Sequence, residues 1–156
     1  MVATGVTAYQ NLGDYRSILP TWLEQPGVLA WVFESKGVRR GMAMLGFYGE
    51  PVAAGGLEIV ADLLALAVAE EFRGVGVGQA LLDHVIEVAS RISASTNAVW
   101  LRLTVEQHNL SAQRLYTRAG FTFDPSVTTT YESGLTGLRM RQIGRPSCRE
   151  RVLNLV

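Results

Sequence analysis

The chain has 156 residues, 14 basic against 14 acidic, and 48% hydrophobic content, so nothing draws it generally towards nucleic acid or an anionic membrane. No uninterrupted apolar run reaches the roughly 18 residues of a membrane span, and no basic stretch precedes an apolar one at the start as in a signal peptide. The one cysteine, Cys148, excludes an internal disulfide framework, and a cytoplasmic protein of one domain with a sizeable core is expected.

Asp14–Gln25 sets Tyr15, Ile18, Leu19, Trp22 and Leu23 at helical spacing. Pro20 is expected to break that helix, because an interior proline lacks an N–H and clashes with the preceding turn. Val28–Glu34 is rich in β-branched and aromatic residues. Ser35-Lys36-Gly37 reads as a turn, and Gly41–Phe47 as the returning hairpin strand. Leu57–Val68 is a long apolar run interrupted by Glu58 and Asp62, and reads as a buried strand.

Arg73-Gly74-Val75-Gly76-Val77-Gly78 follows that strand. Its glycines let the backbone turn sharply and bring N–H groups close to a ligand. The helix expected over Gln79–Ile92 adds unpaired N–H groups and the positive end of its dipole, which together suit phosphate. A dinucleotide fingerprint would need a third glycine where Gln79 stands, and no GK[ST] triplet of a P-loop follows. What remains is RxxGxG, built on Arg73, Gly76 and Gly78. Taken alone, it is also compatible with a tight turn that binds nothing.

Leu81, Leu82, Val85, Ile86, Ala89 and Ile92 form one face of the Gln79–Ile92 helix. Ala98–Val105 alternates as a strand, and strand, helix, strand at this spacing predicts a crossover between parallel strands. Asn109 is suited to an N-cap, Ala112, Leu115, Tyr116 and Ala119 form an apolar stripe, and Gly120 is placed to end that helix. Val127–Tyr131 and Thr136–Arg141 return to strand composition about a Glu132-Ser133-Gly134 turn. The domain is read as residues 1–142, and Ile143–Val156 as an appended tail that is non-native or disordered, a native basic tail being the alternative. With two histidines, His84 and His108, and neither HExxH nor CxxC, no metal site is expected.

Asn109–Phe121 reads as NxxAxxLYxxxGF, after RxxGxG in the chain. In this order the two motifs resemble those of the GNAT acyltransferase superfamily. The resemblance implies an α/β fold with a mixed β-sheet, flanked by helices, whose parallel central strands splay apart. The superfamily's usual first strand and helix are not legible ahead of Asp14, so the start reads as trimmed. The implied activity is transfer of an acetyl group from acetyl-CoA to an amine of a small molecule or peptide, by direct attack in a ternary complex. A homodimer is left open.

On the same resemblance, the cofactor is held by Arg73, Gly74, Val75, Gly76, Val77, Gly78 and Gln79 at its pyrophosphate. The freed backbone of Leu66, Ala67 and Val68 bonds the pantetheine amides and thioester oxygen, with Asn109 and Ala112 along the arm. Tyr116 is implied as the acid that protonates the leaving thiolate. Asp62, eleven residues before Arg73, is the candidate base, and Glu106 the second candidate. Each has a plainer role, Asp62 as a strand-end aspartate that caps or pairs with a neighbour and Glu106 as an exposed loop charge. A non-catalytic acyl-CoA-binding module and an inactive fragment stand as alternatives.

Overall fold

The computed structural model describes residues 2–96 and 100–143. Its helices are α1 (Val2–Tyr9), α2 (Tyr15–Leu23), α3 (Val77–Thr96) and α4 (Leu110–Arg118). Its strands are β1 (Val28–Ser35), β2 (Val38–Pro51), β3 (Leu57–Val68), β4 (Trp100–Glu106), β5 (Thr122–Thr130) and β6 (Thr136–Ile143). All six strands join one sheet in the order β1-β2-β3-β4-β6-β5. Every neighbouring pair is antiparallel except β3 and β4, which α3 connects as parallel strands.

The mixed sheet with parallel central strands and flanking helices agrees with the sequence reading, and β3 has the expected bounds. Three expectations change. A helix does precede Asp14. Its Gly5 allows close docking, since a Cβ there would stand 2.6 Å from Leu19 Cδ1 and 2.9 Å from Met42 Sδ. Pro20 does not break α2, whose single run carries it in the interior. The third concerns ends: α3 begins two residues before Gln79, and β2 and β5 outrun their predicted spans. Positions 97–99 and the tail beyond 143 lie outside the described residues.

Two apolar layers cover the sheet. On one face α3 and α4 bury Leu82, Val85 and Tyr116 against Leu63, Leu103, Val105 and Met140. On the other, α1 and α2 bury Tyr15 and Leu19 against Met42, Met44, Ala65 and Ala67. β3 serves both layers through a bulge. The register steps from Met44↔Ala65 to Leu45↔Leu63, leaving Leu64 as the extra residue. One added residue reverses the alternation. Ala61 and Leu63 face the α3 layer, whereas beyond the bulge Ala65 and Ala67 face the α1–α2 layer. Among the described residues, no helix is long and apolar enough to cross a membrane.

Candidate active site

The ladder between β3 and β4 stops early. Cα partners run only from Val60↔Trp100 to Leu63↔Leu103, although β3 continues to Val68 and β4 to Glu106. The bulge at Leu64 follows the last paired residue, and a bulge bends the strand that carries it. A cavity of about 680 Å³ opens in this gap, lined by both strands, the glycine loop, α4 and the end of α1.

The glycine loop is a turn aimed at the cavity. Gly74 has φ +76° and Gly76 φ +91°, in the left-handed region that other residues avoid. The Gly76 carbonyl accepts from Ala80 N–H at 3.0 Å, so Val77, Gly78 and Gln79 carry first-turn N–H groups without an intrahelical acceptor. Gly78 is neither strained nor crowded. A Cβ there would come no closer than 3.6 Å to Leu115 or Val68. The fold itself does not demand a glycine at this position, whereas a ligand approaching the backbone would. Arg73 folds back, its Nε donating to the Val68 carbonyl at 3.2 Å.

Helix α4 fixes Tyr116 by its two ends. Asn109 Oδ1 accepts from Ala112 N–H at 3.1 Å, an N-cap. At the other end Gly120, at φ +93°, donates to the Thr117 carbonyl and Phe121 to the Tyr116 carbonyl, each at 3.0 Å. This is a Schellman cap, completed by contact of the Phe121 and Tyr116 rings at 5.9 Å. Tyr116 is 7% exposed, and burial pushes its pKa up to about 12. Its hydroxyl, on a residue that lines the cavity, has no hydrogen bond within the described residues.

The cavity gathers Leu66, Ala67, Val68, Arg73, Gly74, Gly76, Gly78, Gln79, Asn109, Ala112 and Tyr116 from the sequence-predicted set, and Glu106 with them. Val75 and Val77 are not among its lining residues. Val75 is 69% exposed, and Val77 is buried in the core. Asp62 is not among them either. It faces Arg102 in the register of β3 and β4, and its Oδ2 accepts from Arg102 Nε at 3.0 Å and from the Tyr48 hydroxyl at 2.5 Å. Arg102 Nη1 reaches on to Glu50 Oε2 at 2.8 Å. The Arg102 bond holds the Glu50 carboxyl below its usual pKa, and burial, with Asp62 nearby, pushes Tyr48 up to about 12.

The expectation that the Leu66 backbone is free needs correction. The Tyr9 hydroxyl donates to the Leu66 carbonyl at 2.8 Å and accepts from the Leu66 N–H at 2.7 Å. Sequence reasoning missed Tyr9, along with Leu12, Tyr131 and Leu135 of the same cavity. Tyr9 fell in a stretch where no pattern was legible. Glu106 accepts from His108 N–H at 2.9 Å.

The model of the Acetyltransferase (GNAT) family matches residues 6–121. No curated protein sequence matches the chain. Among solved structures it is similar to the ribosomal-protein-alanine N-acetyltransferase from Brucella melitensis, with 24% identity, 91% of each chain covered and a TM-score of 0.70. It is also similar to Naa20 of Chaetomium thermophilum in complex with a bisubstrate analogue, at 20% identity over 95% of this chain and 83% of that one, TM-score 0.68. The IAA acetyltransferase from Bacillus cereus ATCC 14579 gives 19% identity, 90% of each chain and 0.66. These identities speak for the fold. The family match spans far more of the chain than the loop and helix that first carried the resemblance, and on that ground the chain belongs to the GNAT acetyltransferase family.

Proposed function

We propose that this protein transfers the acetyl group of acetyl-CoA to an amine of a small molecule or peptide, by direct attack in a ternary complex. One observation carries the reading. A single cavity is lined both by a phosphate-type cradle at the start of α3 and by a buried tyrosine whose hydroxyl has no bond within the described residues. The residues present fit acetyl-CoA. The first-turn N–H groups of α3 suit a pyrophosphate, Arg73 adds positive charge, and Gly78 keeps the approach open. When bound, acetyl-CoA supplies a thioester carbonyl open to attack by an amine.

The protein's own part is to hold, to orient and to move protons. Leu66–Val68, Asn109 and Ala112 line the path of the pantetheine arm. Tyr116 keeps its proton at neutral pH and is placed as donor to the departing thiolate. For the base, the cavity favours Glu106 over Asp62. Glu106 lines it, whereas the Asp62 carboxylate is bound to Arg102 and Tyr48. A cytoplasmic setting belongs to the same reading.

The test is thiol release from acetyl-CoA with a panel of primary amines, beside thermal shift with CoA. A ligand at a hundred times its Kd stabilises by about 2.7 kcal/mol, a shift of several degrees. Turnover with at least one amine is expected, reduced strongly in Glu106→Gln and recovered in part as pH rises. Stabilisation without thiol release for any amine would favour a non-catalytic acyl-CoA-binding module. Absence of stabilisation would remove acyl-CoA from the account.

A further inference from the structure

Tyr9 closes α1, stacks on Tyr15 with ring centroids 4.9 Å apart, and lines the cavity. Leu66 stands opposite Ala43 of β2. Yet its N–H and C=O both go to the Tyr9 hydroxyl, on the side where β4 has parted from β3. The hydroxyl thus does for Leu66 what a paired strand would do, satisfying a donor and an acceptor that the gap leaves without a ladder. Burial, the largest influence on it, raises the Tyr9 pKa, so the hydroxyl keeps the proton that it donates.

The two bonds differ in what they allow. A carbonyl has two lone pairs and can accept from Tyr9 and a second donor together, but an N–H has one proton to give. A pantetheine N–H brought to Leu66 therefore shares the carbonyl without conflict, whereas a thioester oxygen, an acceptor only, contests the N–H. Free CoA ends in a thiol and brings no such oxygen. We propose that Tyr9 is a specificity-determining residue whose hydroxyl competes with the thioester oxygen for the Leu66 N–H, and so weakens binding of acetyl-CoA relative to CoA. The proposal rests on the acyl-CoA reading above.

The experiment is calorimetric titration of the unsubstituted protein and of Tyr9→Phe with acetyl-CoA and, separately, with CoA. Phenylalanine keeps the ring stack and removes only the competitor. Acetyl-CoA should bind about three- to tenfold more tightly to the variant, the span of one net hydrogen bond, while CoA changes by less than about twofold. Equal shifts for both ligands, or weaker acetyl-CoA binding, would overturn the proposal. Should the variant not fold, NMR of the unsubstituted protein decides. Acetyl-CoA should move the Leu66 amide and Tyr9 ring signals further than CoA does, and equal movement would overturn it. Failure of the unsubstituted protein to bind either ligand would instead bring down the acyl-CoA reading, and this proposal with it.

Discussion

The two ends of the β3–β4 pair use the same strands in opposite ways. Where they are paired, Asp62 meets Arg102 across the ladder, and Tyr48 and Glu50 complete a charged cluster on the sheet. Where they part, no such ion pair joins the strands among the described residues: the Tyr9 hydroxyl meets the Leu66 backbone, Arg73 the Val68 carbonyl, and Glu106 the His108 N–H. At the paired end charge meets charge across the ladder, and at the open end the charged groups face the cavity rather than one another. The difference teaches that a carboxylate at a suggestive distance from the glycine loop is not a base on spacing alone. Asp62 stands opposite an arginine in register, and that pairing is invisible along the chain.

Each variant below strikes one end and should spare the other. Gly76→Asp is the most severe. It places a side chain at φ +91° and a negative charge beside the proposed phosphate cradle, and CoA affinity should fall by more than about a hundredfold. Unchanged affinity by calorimetry, in a folded variant, would exclude this loop as the phosphate site. Arg102→Ala attacks the paired end. Arg102 and Asp62 have side chains only 14% and 15% exposed, and removing one partner of such a pair should cost about 3 kcal/mol in denaturant unfolding. CoA affinity should stay within about twofold, and a large loss there would show that the two ends are not separate.

Tyr116→Phe should lower turnover by about tenfold to a few hundredfold and leave CoA affinity within about twofold. Full activity would reduce Tyr116 to a packing residue. The variant carries a second signature at high pH. The Tyr116 pKa is about 12 in the fold against an ordinary 10, so the unfolded chain loses this proton first. Tyr116 therefore contributes a fall in stability of up to about 1.4 kcal/mol per pH unit from pH 10 towards 12, beside that of other buried tyrosines such as Tyr9 and Tyr48, and Phe removes this one contribution. Gly78→Ala is the mildest. The fold has room for the methyl, so thermal stability should hold or rise by about 0.5–1 kcal/mol. CoA affinity should drop several-fold, and no drop would mean that no ligand approaches this glycine.

Where side chains repeat with a period, the sequence was legible. The α3 face, the Asn109 cap and the Gly120 stop all appear as read, because each depends on neighbours a few residues away. β3 was also legible, by its apolar length. What escaped depends on distant partners. α1 has a glycine and three β-branched residues after its first position and no charge, and it owes its place to docking on Leu19 and Met42. Pro20 was weighed as a breaker, but a helix of nine residues held by Tyr15 and Leu19 in the core tolerates one lost bond. At the candidate site, the glycine turn and the place of Tyr116 on α4 were readable from the sequence, while their proposed roles came from the resemblance. Tyr9 on Leu66 and Asp62 on Arg102 join residues 57 and 40 positions apart, and nothing local announces either.

The short seam between β3 and β4 has a consequence for how the chain assembles. β1–β3 draw on residues 28–68, and β4–β6 on residues 100–143, so each half of the sheet closes through contacts near in sequence. Such contacts form fast. Among the described residues, the register joins the halves only from Val60↔Trp100 to Leu63↔Leu103. A ligand lodged in the gap, as proposed above, touches both halves and so acts as mortar between two courses: in binding, it would also brace the sheet.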